Sequence, residues 1–215
     1  MKYLIKTLFL FFYLDSFLIA KNCQNEIVEY NKNILKLKSD YYLKAKIKRN
    51  TEGDISLFLM NKNNEISELN ENSCGLPFKN LGYTKVDFLE SFLFLRAFGG
   101  GNPQIFTLIR KIDGKNILNF EGFLLDYDDK NEFFIYRDIN NKTTNIFDVK
   151  DNINYDLKID NLILKSCSSK NIENDDCLNS YEISSEHVKI HKITKKEVVI
   201  KIGLEYKTIV LKNLE

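Results

Sequence analysis

The chain has 215 residues with 31 basic and 30 acidic side chains, a formal net charge of +1. Nucleic-acid-binding domains usually carry a clear basic excess, so this balance argues against a nucleic-acid partner. The length is ample for one domain with a real hydrophobic core, which the four cysteines would supplement and not replace.

Residues 1–20 have the pattern of a secretory signal peptide, because Lys2 and Lys6 precede an almost unbroken apolar run. Asp15 lies inside that run, and the run is shorter than the ~20 residues that a bilayer requires, so a stable membrane span is disfavoured. We therefore predict that 1–20 is cleaved and that the protein is secreted or periplasmic. We expect residues 21–215 to form a single disulfide-stabilised β-rich domain.

Period-two patterning dominates the first part of that domain. Residues 41–48 alternate apolar and charged side chains, as on a strand with one wet face. Residues 55–60 and 65–69 flank the turn-forming segment Asn61-Lys62-Asn63-Asn64 and predict a hairpin.

Residues 84–98 break this pattern and predict a helix. Thr84 is a good N-cap, and Asp87 follows three residues later as its capping-box partner. Apolar side chains from Phe88 onward cover most of the helix surface, and the three glycines at 99–101 would end it. We expect this helix to pack against the sheet.

The strongest hairpin signal is Asp113-Gly114, because a type I′ turn needs positive φ at both central residues and this pair adopts it cheaply. It joins predicted strands at 104–112 and 116–127. Further turns lead to strands at 132–138 and 145–149, so four strands run as a meander.

Branched and aromatic residues predict further strands at 155–165, 181–193, 197–202 and 204–211. We expect no internal repeat in this pattern. The predicted class is mainly β (α+β): an antiparallel meander that forms a sandwich or an open barrel, with one packed helix near 84–98.

Four cysteines in an exported chain predict two disulfides. Cys167 and Cys177 bracket a polar loop and form the preferred pair, which leaves Cys23 to pair with Cys74. A structural zinc site is disfavoured because it would need close pairs such as C-x2-C. A catalytic cysteine is disfavoured because the count is even.

Two histidines, His187 and His191, lie four apart in a segment with β pattern. Positions four apart on a strand are ~13 Å from each other, so the two imidazoles are not expected to share a metal ion. No metal, cofactor or catalytic residue is predicted.

Acidic residues concentrate in the middle of the chain, where residues 113–185 have a net charge of −7, against +3 for residues 186–215. An acidic surface attracts a basic partner. The candidate partner contacts lie in a turn and in the cysteine loop: Asp126, Asp128, Asp129, Glu173, Asp175 and Asp176.

These features predict an exported, non-enzymatic protein of the inhibitor or immunity type that acts by protein–protein contact. The alternative is a β-barrel carrier of a small apolar ligand or lipid, since sixteen phenylalanines could line a cavity. A cell-envelope hydrolase is a third, less favoured reading. The oligomeric state is left open.

Overall fold

The computed structural model describes residues 34–47, 55–62, 64–70, 84–98, 104–168, 178, 187–194 and 196–210. The strands in these ranges are β1 (Leu35–Lys36), β2 (Tyr41–Ile47), β3 (Ile55–Asn61), β4 (Asn64–Asn70), β5 (Thr84–Asp87), β6 (Ser91–Phe98), β7 (Gln104–Arg110), β8 (Asn116–Asp128), β9 (Phe133–Asp138), β10 (Thr143–Asp148), β11 (Ile153–Asp156), β12 (Val188–Ile193), β13 (Glu197–Ile202) and β14 (Glu205–Val210). The helix is α1 (Asp160–Ser168).

The strands form three open sheets in which neighbours along the chain are neighbours in space. The N-terminal sheet has the order β1-β2-β3-β4, the meander sheet β11-β10-β9-β8-β7-β6-β5, and the C-terminal sheet β12-β13-β14. The predicted mainly antiparallel β class and the meander are thereby confirmed. The open sheets fit a sandwich and not a closed barrel.

The chain divides into two compact units. The first comprises residues 1–84 and 110–115, and the second comprises residues 85–109 and 116–215. The prediction that residues 21–215 form a single domain stays a prediction.

The first unit is built on the β2–β3–β4 sheet. Leu43, Leu57 and Leu59 are fully buried, and β3 and β4 form the hairpin predicted around residues 61–64. The hydroxyl of Tyr42 donates a hydrogen bond to the carbonyl oxygen of Lys62 in that turn. Local turn chemistry and alternation were sufficient to predict this part of the fold.

In the second unit, the long strand β8 changes partner at Gly122. Gln104 of β7 and Asp138 of β9 are both in register with this glycine. A Cβ placed there would lie 1.8 Å from the carbonyl oxygen of Arg137. Only glycine lets the two backbones approach this closely.

The meander sheet is buried on both faces. Ile135 and Ile146 are register partners on the face that packs with α1 and the C-terminal sheet. On the opposite face, aromatic rings stack on one another with centroids 4.2 to 6.3 Å apart. All of them are buried; the rings are those of Phe106, Phe120, Phe134, Tyr136 and Phe147.

The predicted helix over 84–98 is wrong: the segment forms β5, a tight turn and β6. The backbone N–H of Phe88 donates to the carbonyl of Ser91, 3.0 Å away, and closes the turn. All side chains from Phe92 to Leu95 are buried. A strand buried on both faces reads as a continuous apolar run, which periodicity alone does not distinguish from a buried helix.

The strand predicted over 155–165 is also corrected, because β11 ends at Asp156 and α1 follows. Ile159, Ile163 and Cys167 are buried at a spacing of four residues, which is close to one turn of a helix. Within the described residues, no helix is long and apolar enough to cross a membrane.

Candidate functional site

Three turns of the meander repeat with a period of ten residues, at Asp128, Asp138 and Asp148. In each turn, one carboxylate oxygen accepts the backbone N–H of the residue three positions later, at 2.9, 3.0 and 3.1 Å. These bonds hold the turn backbone in the manner of Asx turns. The following residue has a positive φ in every turn: Glu132, Lys142 and Asn152.

The third turn differs from the other two in one side chain. In the first two, the amide of Asn131 or Asn141 donates a second bond, 2.8 Å long in both cases, to the turn's aspartate. The equivalent residue in the third turn is Asp151. An ionised carboxylate has no N–H to donate, so Asp148 faces a second acid where its counterparts face an amide.

A cleft of about 490 Å³ lies at this third turn. Successive turns of an antiparallel meander alternate between its two ends, so the β8–β9 and β10–β11 turns meet at one end. The end of β12 supplies another wall. We call this site the turn cleft; its lining residues are Asn131, Phe133, Asp148, Lys150, Asp151, Ile193 and Thr194.

The turn cleft contains a buried carboxyl group, that of Asp148. Asp148 is 5% exposed, and burial raises the pKa of its carboxyl above the ordinary value. The charge of Asp151 acts in the same direction, whereas the backbone N–H groups of Asp151 and Lys150 and the charge of Lys150 act against it. Burial prevails, so this carboxylate is in an environment that favours an additional cation.

Three of the predicted contact residues lie at the end of β8 and in the turn that follows it: Asp126, Asp128 and Asp129. Asp126 accepts the backbone N–H of Ile190 at 2.7 Å and lies 3.7 Å from the Nζ of Lys189, so it ties β8 to β12. Asp128 is the acceptor of the first turn, and Asp129 is exposed beside it. Their role as contacts stays a prediction. The others lie outside the described residues: Glu173, Asp175 and Asp176.

Cys167 is fully buried in α1 and is disulfide-bonded. Its partner lies outside the described residues, as do all the other cysteines: Cys23, Cys74 and Cys177. The predicted pairing therefore stays a prediction.

The histidine segment forms a strand, as its pattern predicted. His187 is buried just before β12, whereas His191 is exposed and its ring lies 4.9 Å from that of Tyr206. Among the described residues, no group of three histidine, cysteine, aspartate or glutamate side chains is arranged to hold a metal ion.

A second cleft, of about 470 Å³, lies within the first unit. Tyr41, Tyr42 and Leu37 give it an apolar wall. Its charged lining groups are two cations and one acid: Lys36, Lys62 and Asp40. It is separate in composition from the turn cleft, since it has an apolar body and basic groups.

The sequence reasoning missed Asp148 and Asp151 because each lies in an ordinary-looking hairpin turn. The ten-residue recurrence of aspartate at 128, 138 and 148 was the available signal, and it contradicts the expectation of no internal repeat. Thr194 lines the same cleft from a distant part of the chain, which local sequence patterns do not predict.

Comparison of the chain with protein-family models, with curated proteins and with solved structures finds no match.

Proposed function

We propose that this is an exported protein that acts by protein–protein contact, of the inhibitor or immunity type, and that its turn cleft receives a basic side chain of the partner. One observation carries the proposal: Asp148 and Asp151 place two carboxylates together where the sister turns pair an aspartate with an asparagine. Two neighbouring acids are stabilised by a shared cation.

The rest of the lining suits a lysine or arginine. Phe133 and Ile193 offer apolar surface for the methylene stem, while the two carboxylates can accept hydrogen bonds from the charged head. Lys150 is exposed, whereas Asp148 is buried. Long basic side chains that enter such sites often dominate the binding energy of an interface.

The exported location is supported by the pattern of residues 1–20, which lie outside the described residues. Complementary charge supports a basic partner, since residues 113–185 carry the acidic excess of the chain.

The test is quantitative capture with matched variants. The oxidised protein would be immobilised and incubated with proteins of its native cells, and a stoichiometric partner would then be measured against Asp151→Asn. This change restores the amide that the sister turns have, so the fold is retained while one acid is lost. We expect binding to weaken by roughly tenfold or more.

Asp156→Asn is the control, because it removes the same charge from an exposed residue at the opposite end of β11. It should leave binding within about twofold of the wild type. Equal effects of both changes would contradict the role of the turn cleft. Failure to capture any stoichiometric partner would contradict the proposed contact function itself.

The second cleft favours the alternative function of a small-ligand carrier. Its tyrosines and lysines suit a compound with an apolar body and an acidic group. Titration with a saturated fatty acid, followed by tyrosine fluorescence, tests this: saturable quenching that Lys62→Gln weakens supports it, and no saturable change rejects it.

A further inference from the structure

The C-terminal sheet has one buried and one solvent-facing side. Residues in register on antiparallel strands point to the same side. Val188, Ile202 and Ile200 lie on the buried side. The first row of the solvent-facing side crosses all three strands, and its three residues are exposed: Lys189, Lys201 and Tyr206.

An apolar side chain projects from the end of this sheet. Ile202 and Glu205 are in register, so the β13–β14 hairpin has a two-residue loop, Gly203-Leu204. Gly203 has a φ of 57° and its N–H donates to the carbonyl of His187 at 2.8 Å, which holds the loop in place. Leu204 is 95% exposed at a position where hairpins usually have a polar residue or glycine.

The charges around this tip are positive. Glu205 is the acid next to the tip, and it is paired with Lys165, whose Nζ lies 2.6 Å from its carboxylate. Lys201 is exposed, and Lys189 is half exposed at 3.7 Å from Asp126. Residues 186–215 as a whole have a net charge of +3.

Tyr206 joins the apolar tip to the cationic row. Its ring is 57% exposed and packs edge-on against that of His191, with centroids 4.9 Å apart. Tyrosine prefers the level of the lipid headgroups, where its ring is in apolar surroundings and its hydroxyl is hydrated.

We propose that this hairpin docks on an anionic lipid bilayer. Leu204 enters the boundary between headgroups and acyl chains, Tyr206 lies at headgroup level, and Lys201 and Lys189 contact lipid phosphates. A single protruding leucine favours a bilayer over an acidic protein, because a stable protein interface needs an extended buried patch around its apolar centre. The surface shares no residue with the turn cleft.

The test is co-sedimentation of the full chain, in the form that its native cells accumulate, with vesicles of phosphatidylcholine containing about one third phosphatidylglycerol. Vesicles of phosphatidylcholine alone are the comparison. We expect binding to the anionic vesicles that is at least about fivefold stronger and that salt weakens. Equal binding to both vesicles, or none to the anionic ones, would overturn the proposal.

Two substitutions locate the contact. Leu204→Asn introduces a residue that a hairpin loop accepts, so folding is retained, and it should weaken binding by about fivefold or more. Val210→Asn makes a similar change at the other end of β14 and should have an effect of less than about twofold. A larger effect of Val210→Asn than of Leu204→Asn would show that the hairpin tip does not dock on a bilayer. Binding of soluble polyglutamate in place of vesicles would show the same.

Discussion

Arg137 and Asp160 form an ion pair 2.7 Å long that ties strand β9 to the first residue of α1. The arginine side chain is only 6% exposed. The hydroxyl of Thr144 accepts a bond from the guanidinium at 3.1 Å and donates one to Asp160 at 3.0 Å. The three side chains thus close a small network that fixes where the helix begins.

Asp160→Ala should destabilise the fold strongly, because it leaves a buried guanidinium without its counter-ion. We expect a loss of about 3 kcal/mol in the free energy of unfolding, measured by urea denaturation. Asn161→Ala, at the exposed next residue of α1, is the control and should cost no more than about 0.5 kcal/mol. Equal losses would show that the ion pair does not anchor the helix.

Gly122→Ala should disrupt the meander where β8 passes from β7 to β9. The added methyl would meet the carbonyl oxygen of Arg137, a backbone atom that cannot rotate away. We expect a cost at or above the upper end of the roughly 1–3 kcal/mol typical of overpacking. Gly203→Ala introduces a side chain at a positive φ but no clash, and it should lower the free energy of unfolding by about 1 kcal/mol. Comparable thermal stability of the two variants would refute the close approach.

Asp148 makes the stability of the fold depend on pH. Because burial raises its pKa in the folded state above the ordinary value of 3.8, ionisation favours the unfolded chain. Below pH 3.8 the carboxyl is protonated in both states; as the pH rises through the folded pKa, stability is lost. Asp148→Asn removes this loss. The free energy of unfolding of this variant, relative to the wild type, should therefore increase as the pH rises from 3.8 through the pKa of the folded state.

Urea denaturation at several pH values measures this difference. Asp151→Asn provides an independent check, since it removes a like charge and adds a donor, and should lower the pKa of Asp148 in carboxyl NMR titrations. A constant difference between Asp148→Asn and the wild type at all pH values would contradict the expectation.

Asp113 should titrate far below an ordinary aspartate. The Arg110 side chain bonds to it, and the backbone N–H of Lys115 adds a second bond; together they lower its pKa to about 2. The stabilisation from this pair is present above pH 3.8 and is lost as the pH falls through about 2. In carboxyl NMR titrations, Arg110→Ala should raise the pKa of Asp113 clearly.

Lys115→Ala is the matched control, since it keeps the backbone N–H and removes only a weak charge effect. It should move the pKa of Asp113 much less than Arg110→Ala does. A larger shift for Lys115→Ala than for Arg110→Ala would contradict the conclusion that the Arg110 side chain lowers the pKa of Asp113.

The amino-acid sequence by itself determined the strands and hairpins that local chemistry specifies. Asp113-Gly114 predicted the place of the β7–β8 hairpin, but not its turn type: only Gly114 has a positive φ, and residues 111–115 connect the strands. The asparagine-rich turn at 61–64 predicted the β3–β4 hairpin, because turn chemistry is short-range. The alternation over residues 41–47 predicted β2 for the same reason. These properties require no distant partner.

Only the tertiary structure decided the secondary structure of residues 84–98 and the existence of the turn cleft. A helix cap at Thr84 would contribute much less free energy than the burial of Phe92 and its neighbours on both faces of a sheet. That burial depends on strands elsewhere in the chain. Likewise, Asp148 acquires its raised pKa from burial, and Thr194, which lies more than forty residues later in the chain, lines the same cleft. Local propensity specifies turns, whereas desolvation and long-range packing specify the site.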